Sequence, residues 1–496
     1  MDEVRYAQRI RKLTQFWAWT VPALFLVLAL LGLGMRLGQG GVVDAQPDLF
    51  YAVMTLHGLG MAGTAFVGGF AAVVYLLARY VRISLAVGWT MYLLTVIGVA
   101  GLVIASLFGR FGPGWYLLYP MPFFANGVWP DWALGLAIVS LIVLGLAWLL
   151  GQMDLFRALV AKYGIADTFA WNHLIKSRAQ KAEIPPIVLI VAAACLVPGI
   201  LTTLDGAVLL MLYLFKQFIP ALALDPLLLK NMTFLWGHTL VNLTMYLGLA
   251  LVYELLPKFT GKPWKTNAVI AISWNTVMVL VLLAFFHHLY MDFVQPNALQ
   301  YVGQIASYLS AIPATAVTVF GVISQVYRSG LQWRFAPLSF FLGIIGWVIG
   351  GFAAVVDSTI RVNFIFHNTM WVPAHFHTYF LVGYFLILWG FLYNFSEARR
   401  EQIAKTGLWL FVIGSYGFLS MFYLGGAVGV PRRFASYGLI PIASLASWGQ
   451  KTAIIASAFV ALLLVGAVMI FGVIYGGLLK SPSTESSEAG TAISGI

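Results

Sequence analysis

Six histidines lie within long apolar runs, where an ionisable ring is costly and by default marks a functional site. They are His57, His238, His287, His288, His375 and His377; His367 falls just before the last pair, and His173 reads as an ordinary surface residue. Imidazole suits copper, iron and zinc, and it is the usual axial ligand of haem iron. His375 and His377 are two apart, so on a helix of about 3.6 residues per turn they point roughly 200° from each other. They can serve two planar groups on either side of their helix, but not one ion. His287-His288, with His238 opposite, offer three nitrogens to a single ion, and His57 is left to pair with one of the two in the tenth run. The pattern amounts to two haems and one three-histidine metal.

The elements that must position these rings are membrane-spanning helices. Of 496 residues, 61% are hydrophobic and only 9% charged. That composition excludes a soluble multidomain enzyme, a disordered chain and, with Cys195 the single cysteine, a disulfide scaffold. A span needs roughly 20 apolar residues. Twelve runs qualify, at about 13–36, 50–78, 84–109, 131–152, 185–217, 231–256, 267–290, 298–327, 335–356, 370–395, 406–429 and 451–478. The sequence therefore predicts an all-α membrane protein, with residues 1–480 as one twelve-helix domain and residues 481–496 as a disordered cytoplasmic tail. The first run follows a basic segment but is too long for a cleaved signal peptide and reads as a span. With the N-terminus in the cytoplasm, only Arg36, Arg110, Lys216, Lys230, Arg361, Arg432, Arg433 and Lys451 of 28 Lys and Arg fall on the outer side. The positive-inside rule then places both termini in the cytoplasm of a multi-pass cell (inner or plasma) membrane protein. The net charge of +11 belongs to inner loops and not to nucleic-acid binding. Residues 153–183 form the longest inner loop, basic and mixed.

In that topology all six buried histidines fall in the outer third of the membrane, although their depth played no part in choosing it. A secondary transporter shares the span count and the basic face, but has no reason to place six imidazoles at one depth; its usual mark is broken helices at the midplane. Arg432-Arg433 lie on the outer side, where cations are disfavoured. Their planar forks suit haem propionates, and Asp357, Arg361, Asn363 and His367 cluster nearby and could bond the same groups.

Thr55-Leu56-His57-Gly58, Trp236-Gly237-His238, His287-His288, the run from His367 through Val372-Pro373-Ala374-His375-Phe376-His377, and Val430-Pro431-Arg432-Arg433 resemble subunit I of the haem-copper oxidase superfamily, nearest its B-type branch. The resemblance spans all twelve helices. It implies a low-spin haem held by His57 and His377, a high-spin haem on His375, and a facing metal, copper in the oxidases, held by His238, His287 and His288. The oxygen-reducing enzymes carry a tyrosine four residues after the first metal-binding histidine, or supply one from the seventh helix. This chain has Asn242 there and no tyrosine between Pro257 and His287. Cleaving dioxygen takes four electrons, one of them from that tyrosine; coupling two nitric oxides to nitrous oxide takes two. Nitric oxide reductases of the superfamily lack the tyrosine, though the better-known ones have glutamate where this chain has a neutral amide. Asn242 therefore points to a B-type-derived nitric oxide reductase with copper or iron at the three-histidine site. The alternative is a B-type terminal oxidase that has moved its tyrosine, with Tyr246 the candidate.

Tyr246, Tyr253 and Glu254 in the sixth run, and Ser307, Ser310, Thr315 and Thr318 in the eighth, form a row of hydroxyls ending at an acid. Such a row could hold a water chain for protons, or could merely bond backbone and join helices. The chain has no C-x-x-C-H and no cysteine-bound copper. Electrons therefore arrive from another subunit or from quinol directly; the resemblance implies a smaller membrane-anchored subunit II and a donor that is cytochrome c, a cupredoxin or quinol.

Overall fold

The computed structural model describes residues 3–480; the tail expected at 481–496 lies outside them. Among the described residues twelve helices are long and apolar enough to cross a membrane. They run Glu3–Gln39, Pro47–Leu77, Leu85–Phe108, Asp131–Thr168, Ile187–Phe218, Pro226–Thr260, Ala268–Leu289, Ala298–Val326, Phe335–Asp357, Trp371–Phe395, Glu401–Ala427 and Ala443–Leu478. The first begins ten residues before its apolar run. Tyr6, Ile10 and Leu13 recur at helical spacing and are buried, while Arg5 and Arg9 on the other side are exposed. An apolar stripe on a basic helix escapes a window that sums hydropathy over all faces.

Residues 153–168, read as loop, instead continue the fourth helix past the apolar run, interrupted at Gly164 (φ 70°). Asp154 accounts for part of this extension. It is buried, accepts from the Ser84 backbone N–H at 2.7 Å and pairs with Arg157 at 2.7 Å. Side-chain caps fix two helix starts near the histidines: Asp225 accepts from Leu228 N–H and Asn267 from Ile270 N–H, each satisfying an otherwise orphaned donor.

Both ends of the described chain share one face. There Arg11 pairs with Glu397 at 2.8 Å, Arg82 with Glu3, and Lys405 with Glu401. The opposite face carries the loop with Arg432-Arg433, tied to the end of the first span through Gln39 Nε2 donating to the Phe434 carbonyl at 2.7 Å. Two irregularities fall at the histidines. The seventh span tightens to a 3₁₀ turn over Phe285–Leu289, and the tenth widens to π-helical turns over Thr378–Tyr384, directly after His377. Both are common where a helix serves a site.

Candidate metal centre

His57 and His377, from the second and tenth spans, face each other with ring centroids 6.3 Å apart and planes 20° apart. Their Nδ1 groups donate to the backbone carbonyls of Leu28 (2.8 Å) and Pro373 (2.7 Å). With the hydrogen on Nδ1, both Nε2 lone pairs are left for a ligand. Two metal–nitrogen bonds of about 2.0 Å would set such centroids roughly 6.3 Å apart across one ion, so the pair fits a shared metal. Phe418 and Phe422 present their edges to His377.

Only glycine fits at position 32, because a Cβ there would lie 2.9 Å from His57 Cε1 and 3.3 Å from its Nδ1. The imidazole, held by the Leu28 carbonyl, has little room to yield. Gly32→Val is expected to tilt it away from His377 and so to weaken binding of any metal group the pair would share; an absorption spectrum and a metal content unchanged from the parent would count against this.

His238, His287 and His288 each offer a nitrogen within 4.8 Å of the others. His287 Nδ1 bonds Ser307 Oγ at 2.9 Å, which leaves Nε2 free. His238 Nε2 meets the Asn242 amide at 3.0 Å, and its Nδ1 is buried without a partner. Ligation through that orphaned Nδ1 requires the hydrogen on Nε2, so the Asn242 amide, whose Nδ2 faces the ring here, would turn over to offer its Oδ1. His288 stacks on Phe234 at 5.1 Å. Three converging imidazoles, one with an unpartnered buried nitrogen, form a donor set suited to copper, iron or zinc.

His375 points away from His377 and opens with the other five into one cavity of about 260 Å³, whose wall also includes Asn242, Arg36, Arg432 and Arg433. The cavity thus joins every ring expected to hold a haem or metal. Arg432 forks onto Asn368 Oδ1 (3.0 and 3.3 Å), and Arg433 lies 4.7 Å over the Tyr116 ring. Burial and the neighbouring Arg432 push Arg433 down to about 10, which leaves it cationic at neutral pH. His367, Asp357 and Asn363 do not line the cavity. Asn363 donates to the Asp357 carbonyl at 2.8 Å, closing the turn after the ninth span. Burial, with Arg432 and Lys230 nearby, pushes His367 down to about 4, so it is neutral at pH 7. The reading of the sequence did not pick out Arg36, Gly32 or Asn368. Arg36 had a signal, a lone cation at the outer end of a span; the other two had none.

The hydroxyl row is present but segmented. Tyr253 OH meets Thr318 Oγ1 at 2.8 Å, and Tyr246 OH donates to the Ser310 carbonyl at 3.4 Å. Thr315 and Thr318 donate to carbonyls four residues back. Glu254 accepts from Tyr80 OH at 3.1 Å, with Lys258 at 3.9 Å and Arg79 at 4.0 Å forming weak ion pairs.

Residues 12–461 match the family model described as cytochrome c and quinol oxidase polypeptide I. A probable cytochrome c oxidase subunit 1 of Bradyrhizobium diazoefficiens is 25% identical over 76% of this chain and 54% of its own length. Ubiquinol oxidase subunit 1 of Acetobacter aceti is 25% identical over 84% and 65%, and cytochrome c oxidase subunit 1 of Thermus thermophilus 25% over 82% and 76%. The chain thus spans between half and two thirds of the length of the first two. Its fold superposes on one chain of a haem-copper terminal oxidase dimer solved by cryo-electron microscopy, with a TM-score of 0.79 and 18% identity over 96% of this chain and 85% of that one.

Proposed function

The chain belongs to the cytochrome c and quinol oxidase polypeptide I family, and from that premise we propose that it is the catalytic subunit of a respiratory membrane oxidoreductase reducing nitric oxide to nitrous oxide. His57 and His377 would hold a low-spin haem, His375 a high-spin haem, and His238, His287 and His288 copper or iron. When bound, the high-spin haem and its facing metal would supply the two electrons that join two nitric oxides, with two protons, into nitrous oxide and water. Neutral imidazoles hold the metals, Arg432 and Arg433 neutralise propionates, and apolar walls exclude water.

The observation that carries the choice of gas is Asn242. Its amide nitrogen lies 3.0 Å from His238 Nε2, and it stands four residues after that histidine, where the resemblance places the tyrosine of the oxygen-reducing members. Tyr246 lies two turns further along, with its hydroxyl turned to Ser310. Reduction of oxygen to water remains the second reading, favoured by relatives named as oxidases. Turnover with each gas on one purified preparation, alongside copper and non-haem iron analysis, tests the choice. Nitric oxide consumption should exceed oxygen consumption; the reverse would overturn it.

Asn242→Leu removes the amide that partners His238 Nε2 and so helps to orient the ring. Metal affinity should fall about 10–100-fold with both haem bands intact, and competition with a chelator reads this directly. Protons would enter at Glu254 on the face carrying both termini, which the positive-inside rule makes cytoplasmic. Glu254→Gln should slow turnover by about 10²-fold; turnover at the parental rate would remove Glu254 as the entrance. The electron donor would be quinol, cytochrome c or a cupredoxin, reached with a smaller membrane-anchored subunit II.

A further inference from the structure

Six aromatic side chains form an unbroken line from the histidine site to the face that carries both termini. Tyr379 stands edge-on to His375 with centroids 5.5 Å apart. Trp347 follows at 6.2 Å, Tyr246 at 6.3 Å, Trp274 at 5.6 Å, Tyr253 at 6.1 Å and Trp264 at 4.5 Å. The first five are buried. Trp264 is half-buried in the loop after the sixth span, where solvent reaches it. The composition of the line is selective. Phenylalanine is the most numerous aromatic, 36 against 22 tyrosines and 17 tryptophans, yet none stands in it. Packing alone accepts phenylalanine as readily as tyrosine or tryptophan, and more cheaply where polar atoms go unpaired. Here the indole N–H of Trp347 is buried without an acceptor. Phenol and indole differ from phenyl in one relevant respect: they give up an electron readily.

We propose that this line conducts oxidising equivalents away from the haem that His375 would hold and delivers them to Trp264. The inference rests on that reading of His375. Hydrogen peroxide entering the cavity takes two electrons and two protons to become two waters. One electron comes from the metal centre. The other leaves Tyr379 and is replaced in turn from Trp347, Tyr246, Trp274, Tyr253 and finally Trp264, whose indole proton passes to solvent. Each tyrosine regains the proton it released. A dissolved thiol then returns one electron and one proton to Trp264, two of the thiyl radicals so formed join as a disulfide, and the electron donor of the proposed activity restores the electron taken from the metal centre. The damage that a stranded oxidant would do at the histidines is thereby moved to a surface where it can be repaired.

The test uses the ferric, haem-loaded full chain treated with hydrogen peroxide, read by freeze-quench electron paramagnetic resonance and by peptide mass spectrometry. An organic radical signal and oxidised Tyr253 and Trp264 are expected. In Trp347→Phe the line is cut after Tyr379, so marks on Tyr253 and Trp264 should be lost while those on Tyr379 rise. Trp274→Phe makes the same cut lower down and serves if the first variant does not fold, with the haem bands as the check on folding. Marks on Tyr253 that persist in either variant with its haem bands intact would overturn the relay. So would a parent protein that shows haem bands but no oxidised aromatic residue, and the haem reading would survive that result. A parent protein without haem bands would overturn both.

Discussion

His57→Ala should yield a protein that holds one haem per polypeptide in place of two and does not turn over with an external electron donor. The expectation follows from the opposed pair. The His377 Nε2 has its counterpart 6.3 Å away, centroid to centroid, and no other histidine is close enough to replace it. His57 is fixed by a single bond to Leu28, so its removal leaves the surrounding helices their own hydrogen bonds. The three-histidine site, on the sixth and seventh spans, keeps its geometry. The variant should therefore retain its non-haem metal, and its dithionite-reduced form should still react once with nitric oxide. Haem extraction, metal analysis and a single-turnover assay separate these outcomes. Two haems in the variant would remove His57 as a ligand.

His288→Ala attacks the other half of the cavity. Three imidazoles with mutual centroid separations of 4.8, 5.0 and 4.2 Å become two, too few to hold a divalent ion in the order expected here. The metal lost is one that would stabilise developing negative charge on oxygen, a contribution of several kcal/mol, so turnover should fall by about 10³-fold or more. Both haem bands should remain, because neither expected haem ligand pair includes His288. A variant that keeps its full complement of non-haem metal would contradict the three-histidine assignment.

Much of this architecture was legible in the sequence for one physical reason: the bilayer punishes polar groups. Each apolar run stood out by length, and each imidazole inside one stood out by cost. The two-residue spacing of His375 and His377 placed them on opposite sides of their helix before any coordinates. Which of them faces His57 was not readable from spacing. It depends on the rotational phase of two helices about 320 residues apart and on the π-helical turns after His377, and only the resemblance supplied an answer. Helix ends were misread where an amphipathic stripe or a buried carboxylate such as Asp154 prolonged a helix beyond its apolar run. The line from Tyr379 to Trp264 was invisible because it joins five separate elements, and no local pattern records which aromatic residues will meet. Position 32 carried no signal either; a glycine in a span is unremarkable until the ring it accommodates is known.

The separation of His57 from His377 along the chain also bears on biosynthesis. Ribosomes add roughly 5–20 residues each second, so about 15–60 s pass between the appearance of one ring and of the other. The bridge between Thr369 and Pro431, with Met370 N–H donating to the Val430 carbonyl and Arg432 N–H to the Asn368 carbonyl, delays completion further, since it awaits the loop beyond the eleventh span. Insertion of the proposed haem would therefore be a late event that follows membrane integration of nearly the whole polypeptide, and nascent chains stalled before the tenth span should emerge colourless.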